Sequence, residues 1–210
     1  MSTPSIFTID VFGTVVDWRA GLAEAARAAG VELGERAFEE VIAYQARVEQ
    51  GPYRSYSEIL AESLVRVARM GREGAQRVAV HAGRWPLFPD AADGIRALMR
   101  LAPCVAMTNS DQCHGADVQK QLGFRLNAWI CAEDVRCYKP APEFWRAVSS
   151  RRGVPFGPAW WHVSAYADYD METASKLGLT TVFVERPHCV WGPSTWSAPD
   201  LRAVAALVRT

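Results

Sequence analysis

The chain has 210 residues, half of them hydrophobic and 22% charged. That balance belongs to a folded domain, or a domain carrying an insertion, and excludes a disordered chain. Lys plus Arg and Asp plus Glu number 23 each, so no net field draws the chain to nucleic acid or an anionic membrane.

In chain order, residues 5–12 form a β-branched and aromatic run that stops at Gly13-Thr14, which predicts a buried strand and a tight turn. From Trp18 to about Arg84 the pattern is helical, with segments at 20–29, 35–50 and 57–70 and stops at Gly30, Gly34, Gly51-Pro52 and Gly71. Beyond Trp85-Pro86, helices at 91–100, 112–122, 142–151, 171–177 and 200–208 alternate with strands at 104–107, 128–131, 160–164 and 180–184. Such alternation predicts an α/β fold, a Rossmann-like doubly wound parallel sheet. Its core spans 1–17 and 87–210, and a helical cap, 18–86, is inserted after the first strand. Residues 187–199 read as an irregular surface loop. No window approaches the ~18 apolar residues of a membrane span, and the N-terminus lacks the basic region of a signal peptide. The five cysteines have neither disulfide nor zinc spacing, so reduced thiols and a cytoplasmic location are expected.

Ligands of a doubly wound sheet sit at the carboxyl ends of its strands. Four groups of polar residues fall there: Asp10 with Thr14, Thr108 with Asn109 and Ser110, Lys139 before Pro140, and Asp170. Singly, each has an ordinary structural use: a turn aspartate, a helix N-cap, a solvated lysine, a second cap. Together they place a carboxylate nucleophile (Asp10), an ammonium that balances two carboxylates (Lys139 between Asp10 and Asp170) and hydroxyl and amide donors at one sheet edge.

The run Asp10-Val-Phe-Gly-Thr-Val-Val-Asp-Trp18 closely resembles the first motif of the haloacid dehalogenase superfamily. Thr108-Asn109-Ser110, Tyr138-Lys139-Pro140 and the segment from Val163 to Met171 are similar to its second, third and fourth motifs. The resemblance covers essentially the whole chain and implies a hydrolase. Phosphatases of that superfamily carry a second Asp two residues after the first. Here Phe12 stands in its place and cannot protonate a leaving alkoxide, so the resemblance is to the 2-haloacid dehalogenase branch.

It implies that Asp10 attacks the halogen-bearing carbon of a short 2-haloalkanoate and that Lys139 and Asp170 assist hydrolysis of the ester. Thr14, Asn109, Ser110 and the backbone near Val11–Phe12 and Thr108 would hold the substrate carboxylate. Phe12, Trp18, Tyr53 and Tyr166 would wall the pocket, and Arg47, ahead of Arg54 and Arg19, would receive the halide. No cofactor is expected. Mg²⁺ enters only under the alternative of a phosphatase, whose further acid positions are here Ala165 and Tyr166 with Asp168 nearby. Another alternative is hydrolysis of a different small carboxylic acid through the same ester. The expected partner is a small carboxylate, with no nucleic acid and no membrane, and homodimer formation is left open.

Overall fold

Ile6–Ile9 forms strand β1, buried at all four positions. The computed structural model describes residues 3–208. The strand ends sooner than its hydrophobic run predicts, because Gly13 turns the chain with φ +97°. A side chain at Gly13 would be strained by that φ and would overlap the Tyr166 hydroxyl.

The chain then runs through helices α1 (Trp18–Ala28), α2 (Glu35–Val48), α3 (Tyr56–Arg66) and α4 (Arg72–Val80) and a 3₁₀ turn at Ala82–Arg84. Helix α3 opens on a reciprocal capping box. Ser55 accepts from the N–H of Glu58, and Glu58 accepts from the N–H of Ser55, a device worth ~1 kcal/mol. Its first turn is also tied to the core, since the Asp111 carboxylate accepts from the N–H groups of Tyr56 (2.8 Å) and Ser57 (2.9 Å) and from Ser57 Oγ (2.6 Å).

The second part alternates as predicted: α5 (Ala91–Met99), β2 (Cys104–Thr108), α6 (Gln112–Leu122), β3 (Ala128–Cys131), α7 (Ala132–Val135), α8 (Pro142–Arg152), β4 (Trp160–Ser164), α9 (Glu172–Lys176), β5 (Thr180–Val184), β6 (Trp196–Ala198) and α10 (Leu201–Leu207). The six strands form one sheet in the order β3-β2-β1-β4-β5-β6, parallel at every pairing. Both faces are covered. Phe7, Ile9, Val163 and Val182 pack into one apolar cluster, and Ile6, Val105, Met107 and Trp160 into another. This explains why the central strands read as continuous apolar runs.

Two local expectations change. Residues 187–199 contain β6, which pairs with β5 from Val182↔Trp196 to Val184↔Ala198. Three residues beside a proline carry too little local signal, and the open edge of β5 supplies the pairing. The helix expected at 171–177 is preceded by a π-helical turn, Ala167–Met171. All five cysteines are free thiols. No helix among the described residues is long and apolar enough to cross a membrane.

Candidate active site

Strand order reverses on either side of β1 and β4, which opens a crevice at their carboxyl ends. Asp10 follows β1 directly, and Asp170 sits in the π-helical turn after β4. Lys139, on the loop before α8, reaches between them. Its Nζ donates to Asp10 Oδ1 at 2.8 Å and lies 2.9 Å from both Asp170 oxygens. All three side chains are buried, Lys139 at 1% exposure. Asp10 Oδ2 accepts from Thr14 Oγ1 at 2.6 Å, and that hydroxyl accepts from the N–H of Ala165 at 3.0 Å. The single hydroxyl proton of Thr14 is thereby aimed at Asp10, which fixes the carboxylate plane.

A second set of buried polar contacts, on β1 and β4, approaches Asp170. Trp160 Nε1 donates to Thr8 Oγ1 at 2.8 Å, and Thr8 Oγ1 lies 2.8 Å from His162 Nδ1. An indole N–H only donates, so the hydroxyl proton of Thr8 is left to serve His162 Nδ1. A neutral imidazole then carries its proton on Nε2, which faces Asp170 Oδ1 at 3.5 Å. His162 is a residue that sequence reasoning missed, although a histidine inside the apolar run Trp160-Trp-His-Val-Ser164 is a visible signal.

The two carboxyls are pushed apart. Burial raises the Asp10 carboxyl above its usual range, against the pull of Lys139 and with the added repulsion of Asp170. Burial opposes the charge of Asp170 too, but Lys139 and His162 outweigh it and hold that carboxyl at about 2. Burial likewise opposes the charge of Lys139, and the two carboxylates outweigh it and raise its pKa. The two carboxyls thus differ in basicity, Asp10 being the more basic and Asp170 the more firmly ionised.

Above this floor lies a cavity of about 830 Å³, lined by Asp10, Phe12, Trp18, Thr108, Asn109, Ser110, Lys139 and Tyr166 from the expected set. Tyr56, Tyr138, Tyr169, the 140–142 segment, Asp168, Val190 and one face of α2 also line it. Ile42, Gln45, Ala46 and, one residue past the helix, Glu49 follow i, i+3, i+4, i+7 spacing and so share one side of that helix. The helix itself was legible in its apolar periodicity, but this partly polar face was not. Trp18 Nε1 donates to the Tyr166 hydroxyl at 2.8 Å, and Lys139 Nζ lies 5.2 Å from the centre of the Tyr169 ring.

Several expected roles need correction. Asn109 does not offer a free amide to a substrate. Its Oδ1 accepts from the N–H of Lys139 at 2.7 Å, and its Nδ2 donates to the Lys139 carbonyl at 3.0 Å and to Glu49 Oε2 at 3.1 Å. It positions the lysine. Thr14 is likewise spent on Asp10. The side chain of Val11 lies in the apolar core at 2% exposure, which leaves the expectation for its backbone untouched.

Tyr53 lies outside the cavity. It stacks on Tyr138 at 5.5 Å, with Arg136 over its ring at 4.1 Å. Tyr138 is held by Arg54, whose N–H donates to its hydroxyl at 2.7 Å and whose carbonyl accepts from that hydroxyl at 2.5 Å.

Arg47 is exposed and lies over the ring of Tyr44 at 5.2 Å, outside the cavity. It sits one residue away from the inward face of α2, and that offset of about 100° turns it to solvent. Arg19 pairs with Glu35 and Glu39 and Arg54 with Glu62, so neither rival replaces it. Among the described residues no arginine lines the cavity. Arg47→Ala is therefore expected to leave turnover near native and to shift stability by no more than ~0.5 kcal/mol. A severe loss of turnover in that variant, read from initial rates, would place its guanidinium in the site.

The residues present do not compose a Mg²⁺ site. Asp10 and Asp170 carry two negative charges, and Lys139 between them cancels one. The ring of Phe12 and the side chains of Ala165 and Tyr166 occupy the positions where further acids would be needed. Asp168 lines the rim, but it is exposed and its Oδ1 accepts from the N–H of Tyr169 at 2.9 Å.

The family model for haloacid dehalogenase-like hydrolases matches residues 4–160, from the strand that delivers Asp10 to the first residue of β4. The chain belongs to that family. Members are hydrolases.

Solved structures share the fold over the full length. A defluorinating L-2-haloacid dehalogenase is 24% identical, with a TM-score of 0.84 and coverage of 100% of this chain and 99% of that one. The L-2-haloacid dehalogenase from Xanthobacter autotrophicus with chloropropionic acid covalently bound is 18% identical, with a TM-score of 0.83 and 98% of both chains covered. The putative HAD-hydrolase YfnB from Bacillus subtilis, bound to magnesium, is 14% identical with a TM-score of 0.81, and both chains are covered in full. No curated protein matches the chain by sequence.

Proposed function

We propose that this hydrolase cleaves the carbon–halogen bond of 2-haloalkanoic acids through an ester on Asp10. The observation that carries the reading is the environment of the nucleophile. Asp10 is oriented by Thr14 and Lys139, and Phe12 borders the cavity where an acid would be needed to protonate a leaving alkoxide. Halide leaves as a stable anion and needs no such acid. The covalently bound chloropropionic acid of the similar Xanthobacter dehalogenase supports the same chemistry.

In the first step a carboxylate oxygen of Asp10 forms a bond to C2 and the halide departs with the bonding pair, inverting that carbon. Water then adds to the Asp10 carbonyl carbon. Lys139 stabilises the negative charge that develops on the carbonyl oxygen, and the ester opens to return Asp10 and release the 2-hydroxy acid. Overall one water is consumed, and one halide and one proton are released. Asp170 keeps Lys139 protonated and in place throughout.

Two hydroxyls at the cavity retain a proton for the substrate. Tyr166 accepts from Trp18 and Ser110 Oγ accepts from Thr108 Oγ1, which leaves the hydrogen of each free to donate to the substrate carboxylate or departing halide.

Halide release from 2-chloropropanoate is the deciding measurement, and prolonged EDTA treatment is expected to leave its rate unchanged. A single turnover in ¹⁸O-water should yield unlabelled 2-hydroxy acid, because its new oxygen comes from Asp10. Label in that first product would make Asp10 a general base. Loss of activity on chelation, restored by Mg²⁺, would bring the phosphatase reading forward. An Asp10 ester formed from a halogen-free acid, without any halide release, would assign the same route to another small carboxylate.

A further inference from the structure

The α2 side of the cavity has a chemistry that the cleavage step does not use. Glu49 closes α2 and turns its carboxyl into the cavity, where Oε2 accepts from Asn109 Nδ2 at 3.1 Å. That amide is immobilised by its two bonds to the Lys139 backbone, so the carboxyl is held at a set distance from the reaction centre. Among the described residues Glu49 forms no ion pair. Lys139 is the only basic side chain among the described residues that line the cavity, and its Nζ is committed to Asp10 and Asp170. Burial accordingly moves the Glu49 carboxyl up to about 7, with the Asn109 bond and Lys139 only partly offsetting it.

Around Glu49 the walls are apolar and aromatic, including Ile42, Ala46, Tyr56 and Tyr138. The volume of about 830 Å³ falls in the ~300–1,000 Å³ range of pockets that enclose drug-sized ligands. A 2-halopropanoate, with half a dozen heavy atoms, fills a small corner of it.

We propose that the α2 end of this cavity is a distal substrate subsite. It receives an aromatic ring on the substrate chain, and Glu49 accepts a hydrogen bond from a hydroxyl or ammonium group on that ring. The preferred substrates are then aryl-bearing 2-substituted acids, and acids with an anionic distal group are excluded by the uncompensated carboxyl. This inference rests on the reading that Asp10 marks the end at which the substrate carboxylate binds.

The test is equilibrium binding of acids without a leaving group, measured by calorimetry with the native chain at about pH 8, where a carboxyl held at about 7 is largely ionised. The series is propanoate, 3-phenylpropanoate, 3-(4-hydroxyphenyl)propanoate, 3-(4-aminomethylphenyl)propanoate and 3-(4-carboxyphenyl)propanoate. The phenyl acid is expected to bind at least about tenfold more tightly than propanoate through burial of its ring. The hydroxyl and ammonium forms should bind more tightly still, and the dicarboxylate more weakly than the phenyl acid.

Glu49→Gln should erase the gap between the ammonium and carboxylate forms while leaving the phenyl acid near its native affinity. Ala46→Trp should fill the subsite and weaken every aryl acid, with propanoate unchanged. Equal affinity for propanoate and phenylpropanoate, no binding by any aryl acid, or a charge ranking that survives Glu49→Gln would each overturn the proposal. Binding is read without turnover, so such a failure leaves halide release from 2-chloropropanoate intact. A failure of halide release leaves the binding series intact.

Discussion

Asp10→Asn is expected to abolish turnover by several orders of magnitude while leaving the fold in place. The amide has nearly the same shape as the carboxylate, but its oxygen is a far weaker nucleophile. The local bonds survive the change. The Asn carbonyl keeps Lys139 Nζ, now 2.8 Å from Oδ1, and the amide nitrogen turns to Thr14 Oγ1, which then accepts instead of donating. The variant also removes one of two buried negative charges that share a single lysine, so its melting temperature should stay close to native. Initial rates of product formation and a thermal melt separate the two expectations, and mass spectrometry guards against slow deamidation back to Asp. Residual turnover at an appreciable fraction of the native rate would remove Asp10 from the covalent role.

Lys139→Met is expected to abolish turnover and also to destabilise the protein. The native Nζ is the only cation between two carboxylates exposed by 2% or less. Breaking a buried pair of this kind costs ~3–5 kcal/mol, which for a chain of this size lowers Tm by roughly 6–20 °C.

The pH dependence supplies a sign test. In the native protein Asp170 is held at about 2, below its unfolded value of ~3.9. Its stabilisation is therefore present above about pH 4 and lost as pH falls towards 2. Without Lys139 both carboxyls have folded values above their unfolded ones. Their penalty is absent below about pH 4 and grows as pH rises from the unfolded values towards the folded ones. The gap in Tm between native and variant should thus narrow from pH 7 to pH 5. A second substitution, Asp170→Asn, on the Lys139→Met background should recover part of the melting temperature and none of the turnover. A gap in Tm that is constant with pH would mean that Lys139 acts by packing alone.

How much of this was legible in the sequence depends on the range of the interaction involved. The strand–helix alternation, the parallel sheet and the placement of Asp10, Thr108, Lys139 and Asp170 at strand ends are local patterns. They follow from side-chain periodicity and from the turn at Gly13, where φ is +97°. The family motifs lie in those same segments, so sequence reading reached the reactive cluster and the absence of an acid at Phe12. β6 escaped it because a three-residue edge strand gains its order from β5 and not from its own residues.

The rest of the site was decided by tertiary contacts between segments distant in the chain. Asn109 and Thr14 carry the right groups for holding a substrate, yet Lys139 and Asp10 use up their donors. Arg47 and Glu49 are two residues apart, and helix rotation alone turns the first to solvent and the second into the cavity. His162 meets Thr8 only because β1 and β4 lie side by side, with the two residues opposite each other in register. Sequence by itself determined the fold and placed Asp10 at a strand end, since both are written in local spacing. Which side chains keep a free hydrogen bond, and which face the cavity, only the packing of helix on sheet could decide, because each donor serves the nearest acceptor that the folded chain brings to it.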